Sequence, residues 1–397
     1  MKDPTPRHLL HYVRKVLRLE NYLKHPGDGR PQPQIPAQPL LWGILFCRVL
    51  RETSFLAVEE MARLSGCRSL GLSRRFGDDA LAYFTERLDA AVTRAALADT
   101  VRLAKRNKAF DNSRFIGLAI DGTTAGRRRE SACPLCRPHH NDDNKITCYH
   151  HHMAAISVVG AGLTLPIDAE PYGPGDSEYA AGKRLLCRAI RAVGQQFADY
   201  VVVDGNYAKA PFLHTASEFG LWTLVRLKGN LPELSAAAEK RFGGQPPDHV
   251  HTVGRDRVEI WDADDFDPWE TLNWPSVRVL RYRQHKPDGE VIQADWLTNA
   301  PSKKVSGLSL FHRAKSRWEI ENQGFNDTKN RYGLEHICHH HPNSILITWL
   351  LTFLAVVIER LYRIRYLHRG NHPIRSAQQL CRLLWLGLSR AEVLDSS

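Results

Sequence analysis

The order of apolar segments between residues 114 and 227 limits this chain to very few folds. It reads strand, strand, strand, helix, strand, helix, strand. Residues 114–120 are the first strand, and residues 153–159 and 163–169 form a hairpin across the turn Gly160-Ala161-Gly162. Residues 176–198 have helical spacing, and 200–203 are a short apolar strand. Residues 207–219 form a second helix and 221–227 a further strand. Two of these strands run directly into an acid followed by glycine, Asp121-Gly122 and Asp204-Gly205. Asp-Gly is also the commonest turn dipeptide, so either aspartate alone reads first as a turn residue, and only the two together with a third acid favour a site.

That order is the chain order of an RNase H-like domain, in which the first and fourth strands are neighbours. Asp121 and Asp204 are then expected at adjacent strand ends. A third acid lies in the segment 311–332. Phe311, Ala314, Trp318, Glu321, Phe325, Thr328 and Tyr332 recur at steps of three and four, one stripe of an α-helix. The stripe predicts a core-facing Glu321 and a core-facing Trp318. Burying an unpaired carboxylate costs several kcal/mol, so Glu321 must be paired, protonated or bound to metal. Arg317, one turn back, is the alternative partner.

The 397 residues are 43% hydrophobic and 24% charged, the balance of a globular protein. A net charge of +11 favours a polyanionic partner. The N-terminal residues have no apolar core and do not read as a signal peptide. The longest apolar run, 345–358, is too short to cross a bilayer and predicts a buried helix, so no membrane partner is expected. Eight cysteines without a secretion signal point to a reducing, cytoplasmic setting.

The organisation expected is an α/β protein in three parts. Residues 1–110 form a helical N-terminal DNA-binding region, with helices over 40–64 and 78–105 and a turn at 65–77; a helical bundle packed on the next domain is the other reading. Residues 111–335 form the RNase H-like catalytic domain. Within it, residues 229–308 hold four alternating short strands and read as an inserted β-rich subdomain. Residues 336–397 form a C-terminal helical region.

Ile120-Asp121-Gly122-Thr123-Thr124, the segment Val201 to Ala208 around Asp204, and the run from Arg317 to Asn330 resemble the motifs of DDE transposases from bacterial insertion sequences. The closer likeness is to the branch whose catalytic Glu lies in a Tyr/Arg/Glu/Lys signature after a β-rich insertion. It covers about residues 110–342 and is most specific in the third motif. The resemblance implies Asp121, Asp204 and Glu321 as catalytic acids holding two Mg²⁺ (or Mn²⁺) ions. It implies phosphate contacts by Arg317 and Lys329, double-stranded DNA as partner (element ends and target), a homodimer in the DNA complex, and a bacterial, nucleoid-associated location. The chain departs from the signature at Ala314, where Tyr is usual, and at Lys329, eight rather than seven residues after Glu321. Arg127, Arg128 and Arg129, with Arg281, Arg283, Lys303, Lys304, Arg313 and Lys315, are expected to add DNA contacts, and Trp296 is a candidate for stacking a displaced base. A nuclease that cuts without joining, and a transposase-derived DNA-binding protein without catalysis, are the competing functions.

Cys133-Pro134-Leu135-Cys136 precedes His139, His140, Cys148 and His150 to His152, and Glu335 to His341 hold further ligand types. Thiolates and imidazoles at this density suit Zn²⁺ in a tetrahedral site. The expected set is Cys133, Cys136, His336 and His340; reduced cysteines with surface histidines are the other reading.

Overall fold

The computed structural model describes residues 4–64, 67, 72, 75–110, 113–368 and 373–395, with side chains through 389. The chain opens with helices α1 (Pro6–His11), α2 (Glu20–Lys24), α3 (Ala37–Val49), α4 (Phe55–Arg63), α5 (Asp78–Arg87) and α6 (Ala90–Arg106). Side-chain caps set three of their starts: Thr5 accepts from His8 N at 3.2 Å, Ser54 from Ala57 N at 3.0 Å and Asp89 from Ala91 N at 2.8 Å. Most of the turn expected at 65–77 lies outside the described residues.

Strand β1 (Gly117–Arg128) pairs antiparallel with β3 (Ile146–Val159), which in turn pairs with β2 (Cys136–His140) and β4 (Leu165–Pro171). After α7 (Glu178–Val193), strand β5 (Tyr200–Val203) lies parallel to β1, with Leu118 opposite Val201 and Ala119 opposite Val202. After α8 (Ala210–Glu218), β6 (Trp222–Leu227) lies parallel to β5. The order β4-β3-β1-β5-β6, antiparallel on one side of β1 and parallel on the other, is the RNase H-like core. Leu118, Ala119, Ile120 and all four residues of β5 are buried, as expected of central strands covered on both faces.

Three details differ from expectation. β1 begins at 117 and runs to 128, because its outer half continues to pair with β3 after β5 has stopped. β2 was not foreseen, since its polar Cys/His sequence carries no strand periodicity. Residues 229–308 contain α9 (Pro232–Phe242), β7 (His249–Val253), β8 (Asp256–Phe266), β9 (Val277–His285) and β10 (Val291–Thr298). They extend the core sheet instead of folding apart: β10 pairs antiparallel with β6, Trp296 opposite Arg226.

The chain then runs through α10 (Gly307–Lys315), α11 (Arg317–Glu319), a π-helical turn (Ile320–Asn326) and α12 (Asp327–Tyr332). α13 (Pro342–Tyr362) follows and α14 (Ala377–Asp395) closes the described chain. α13 is longer than the apolar run suggested, and by length and composition it would pass for a membrane span. Its side chains from Ser344 to Tyr362 are nonetheless buried within the protein, packed by α3, α5, α6 and β4. The N-terminal helices therefore form a layer over α13.

Candidate active site

Asp121 sits where β1 outruns its parallel neighbour. Continuing the register of Ala119 with Val202 by two residues sets Asp121 opposite Asp204, the residue that ends β5. Each aspartate is fixed by a backbone donor: Asp121 Oδ1 accepts from Gly122 N and Asp204 Oδ1 from Asn206 N, both at 2.9 Å. Asp204 thereby caps the short 3₁₀ turn Gly205–Tyr207.

The third acid arrives by an unexpected route. The helix from 307 to 332 is broken at Ser316 and widened by the π turn, which shifts its buried stripe. The core-facing residues are Leu310, Phe311, Ala314, Ile320, Phe325, Thr328 and Tyr332. Glu321 stands beside this stripe, with 42% of its side chain exposed, and Trp318 is 40% exposed, so neither faces the core as expected. The acid that does turn inward is Glu319, whose Oε2 accepts from Gly160 N at 3.0 Å and Thr164 Oγ1 at 3.1 Å. Burial raises its pKa.

Arg317 joins two of the acids. One guanidinium nitrogen, Nη1, lies 2.9 Å from Asp121 Oδ2 and 2.7 Å from Glu321 Oε1. Both the paired reading of Glu321 and its convergence with Asp121 are therefore realised in one arrangement. A fourth acid, Glu178, comes from the first turn of α7, whose cap Ser177 accepts from Ala180 N. Glu178 lies against the backbone that follows Asp121: a Cβ on Gly122 would fall 2.2 Å from its Oε2. Tyr207 donates to the Glu178 carbonyl at 3.2 Å. Nothing in the sequence spacing singled Glu178 out; its one signal is the acid following a Ser cap.

This crowding shifts the protonation of the site. Burial is the main cause pushing the Asp121 pKa up to about 7; the Glu321 and Glu178 charges push the same way and Arg317 opposes. Glu178 is raised as well, by burial and then by Asp204. Beside Asp204, Arg226, Lys228, Lys315, Trp296 and Trp318 line a cleft that Arg317 also reaches. Lys315 Nζ stands 4.5 Å from the centre of the exposed Trp318 ring.

Other expected contacts lie further off. Lys329 pairs with Glu335 at 3.3 Å and makes no ion pair with the three acids. Arg127 and Arg128 are exposed at the end of β1 and Arg129 just beyond it, with Arg128 in contact with His340. Arg281 is buried and held by Asp295 and Glu239, which removes it from the expected DNA-contacting set. Cys133 and Cys136 come together as expected, but the nearby imidazole is His151, not His336. His336 lies in the field of Arg48. His151 belongs to the Cys/His run but not to the expected set of four, because its place beside Cys136 comes from the β2–β3 pairing.

Residues 113–358 match the family profile described as the transposase DDE domain. No curated protein matches the sequence. Among similar solved structures is one titled as a cryo-EM structure of the piggyBac transposase synaptic complex with hairpin DNA. It aligns at a TM-score of 0.49 with 11% identity, over 99% of this chain and 81% of that one.

Proposed function

The chain belongs to the transposase DDE-domain family of metal-dependent DNA-cleaving enzymes, and we propose that it is the transposase of a bacterial insertion sequence. It cleaves the element ends and joins the freed 3′-hydroxyl to target DNA, with Asp121, Asp204 and Glu321 as the metal-binding acids. One observation carries this reading: acids from two neighbouring strand ends and a helix converge, and two of them share Arg317.

The donor set fits magnesium or manganese. Hard carboxylate oxygens are the ligands such ions take, and few are needed because the ions retain water. Asp121 and Glu321 share Arg317, and burial first, then the Glu321 and Glu178 charges, raise the Asp121 pKa to about 7, a cost that a divalent cation would relieve. Two ions held by these acids would supply the activation of a water or hydroxyl and the neutralisation of charge on the phosphate. The protein orients the rest. Gly122 N and Asn206 N fix the aspartates, while Arg317 keeps Glu321 beside Asp121 and presents positive charge to a phosphate. Arg226, Lys228 and Lys315 extend that charge along the cleft, where the exposed Trp318 offers a stacking face to a base. A reaction on two element ends calls for two copies of the chain.

The test is incubation with DNA carrying both element ends and Mg²⁺, followed by mapping of broken and joined strands. Nicks at the ends and new joints to target DNA are expected. Nicks without joints would leave a nuclease, and intact DNA despite tight binding would leave a binding protein.

A further inference from the structure

We propose that Cys133, Cys136, His151 and His340 bind one structural zinc ion, which ties the strand bearing Asp121 to the segment that follows the Glu321 helix. The two Sγ atoms are 3.8 Å apart, and His151 Nε2 lies 3.2 Å from Cys133 Sγ and 3.5 Å from Cys136 Sγ. Around a tetrahedral zinc with usual bond lengths, sulfurs stand about 3.8 Å apart and a sulfur and nitrogen roughly 3.6 Å apart. The three ligand atoms therefore already have the spacing of three corners of that tetrahedron.

His340 is the residue assigned to the fourth corner: neither of its ring nitrogens lies within 4.8 Å of all three of these atoms, so a shift of its segment would bring it onto the metal. Its ring centre is 5.5 Å from that of His151, and imidazoles sharing one tetrahedral zinc have centres roughly 5 Å apart. His340 Nδ1 is buried without a hydrogen-bond partner, which a ligand role explains. The loop is built for thiolates: Cys136 N closes a tight turn onto Cys133 O at 3.0 Å, and Ala132 N points at Cys136 Sγ at 3.4 Å. Both cysteines are free thiols. Two thiolates and two neutral imidazoles balance the charge of Zn²⁺.

The fold shows what such an ion would join. His151 pairs with Cys136 on one side and with Ala125 of β1 on the other, four residues beyond Asp121. His340 belongs to the segment between α12 and α13. Gly126 lets that segment approach: its φ is +64°, and a Cβ there would fall 2.5 Å from Ile337 and 3.3 Å from His151 Nδ1. Zinc at this point fixes the strand of one catalytic acid against the helix of another, at a distance from the magnesium-type carboxylates.

The test uses the full chain purified without chelator. One zinc per chain is expected by elemental analysis. Replacing it with Co²⁺ should give the intense visible bands of a tetrahedral site together with thiolate-to-cobalt charge transfer. The double variant Cys133→Ser/Cys136→Ser should lose the metal, and His336→Ala should keep it. His340→Ala should release zinc to a chelator at least tenfold faster than wild type. The proposal is overturned by metal-free wild type that takes up no Co²⁺, by octahedral cobalt bands, or by zinc retained in the double variant. Unchanged release from His340→Ala removes the fourth ligand. The cobalt spectrum needs no substitution, so a variant that misfolds leaves the question decidable. Zinc content is also independent of DNA cleavage, and Asp121→Asn should bind the full complement.

Discussion

At the scale of single residues, the site is a balance between acids that repel and one guanidinium that holds them. In the proposed site, replacing Asp121, Asp204 or Glu321 by Ala would remove a metal ligand. Each change is expected to lower Mg²⁺-dependent strand cleavage by on the order of 10³-fold or more while leaving DNA binding intact, read by nicking and gel-shift assays on the same DNA. Normal cleavage by any one of them would exclude it from the catalytic set. Asp121 also gives a pH signature. Its folded pKa of about 7 lies above the unfolded value of about 3.9, so the stability of the protonated site is fully present below that lower value. It is lost as pH rises through 7. Metal-free wild type should therefore weaken between those limits by on the order of a few kcal/mol, and Asp121→Asn should not. Urea melts at pH 5 and pH 8, with and without Mg²⁺, decide the point: Mg²⁺ should restore wild type at pH 8 and do little for the variant.

Elements decide how Glu321 reaches the aspartates. Within the π turn at Ile320–Asn326, the Gln323 carbonyl accepts from Arg360 of α13. The same guanidinium bonds Thr164 O and pairs with Asp327 at 2.9 Å, while Glu359 accepts from Tyr332 at 2.7 Å. Two buried charges on α13 thus hold the helix that bears Glu321 inside its widened turn, at Gln323, and beyond it, at Asp327 and Tyr332. Arg360→Ala leaves these acceptors unpaired and should cost about 3–5 kcal/mol in chemical denaturation. Cleavage should fall as well, because Glu321 loses its support. An unchanged denaturation midpoint would show that the clamp contributes nothing.

For the whole molecule, charge and packing set the partner and the limits of dissection. A net charge of +11 and a cleft edged by Arg226, Lys228, Lys315 and Arg317 predict DNA affinity that falls steeply with salt. A log–log plot of the dissociation constant against salt should have a slope of several; a flat plot would argue against phosphate contacts as the source of binding. Residues 1–110 were legible as helical, but the helices expected over 40–64 and 78–105 each break in two, at 50–54 and at 88–89; their DNA-binding role remains a proposal, and what the structure adds is that they cover α13. The alternation of apolar runs was enough to read the RNase H-like order and the two strand-end aspartates, because strand and helix periods are local properties of the chain. The third motif likewise named Glu321 and Arg317. Sequence could not place Trp318, Glu319 or Glu178, nor exchange His336 for His151. Those outcomes depend on a π turn held open by Arg360 and on a hairpin that brings His151 under two cysteines, contacts between residues distant along the chain, whose energies no local pattern encodes.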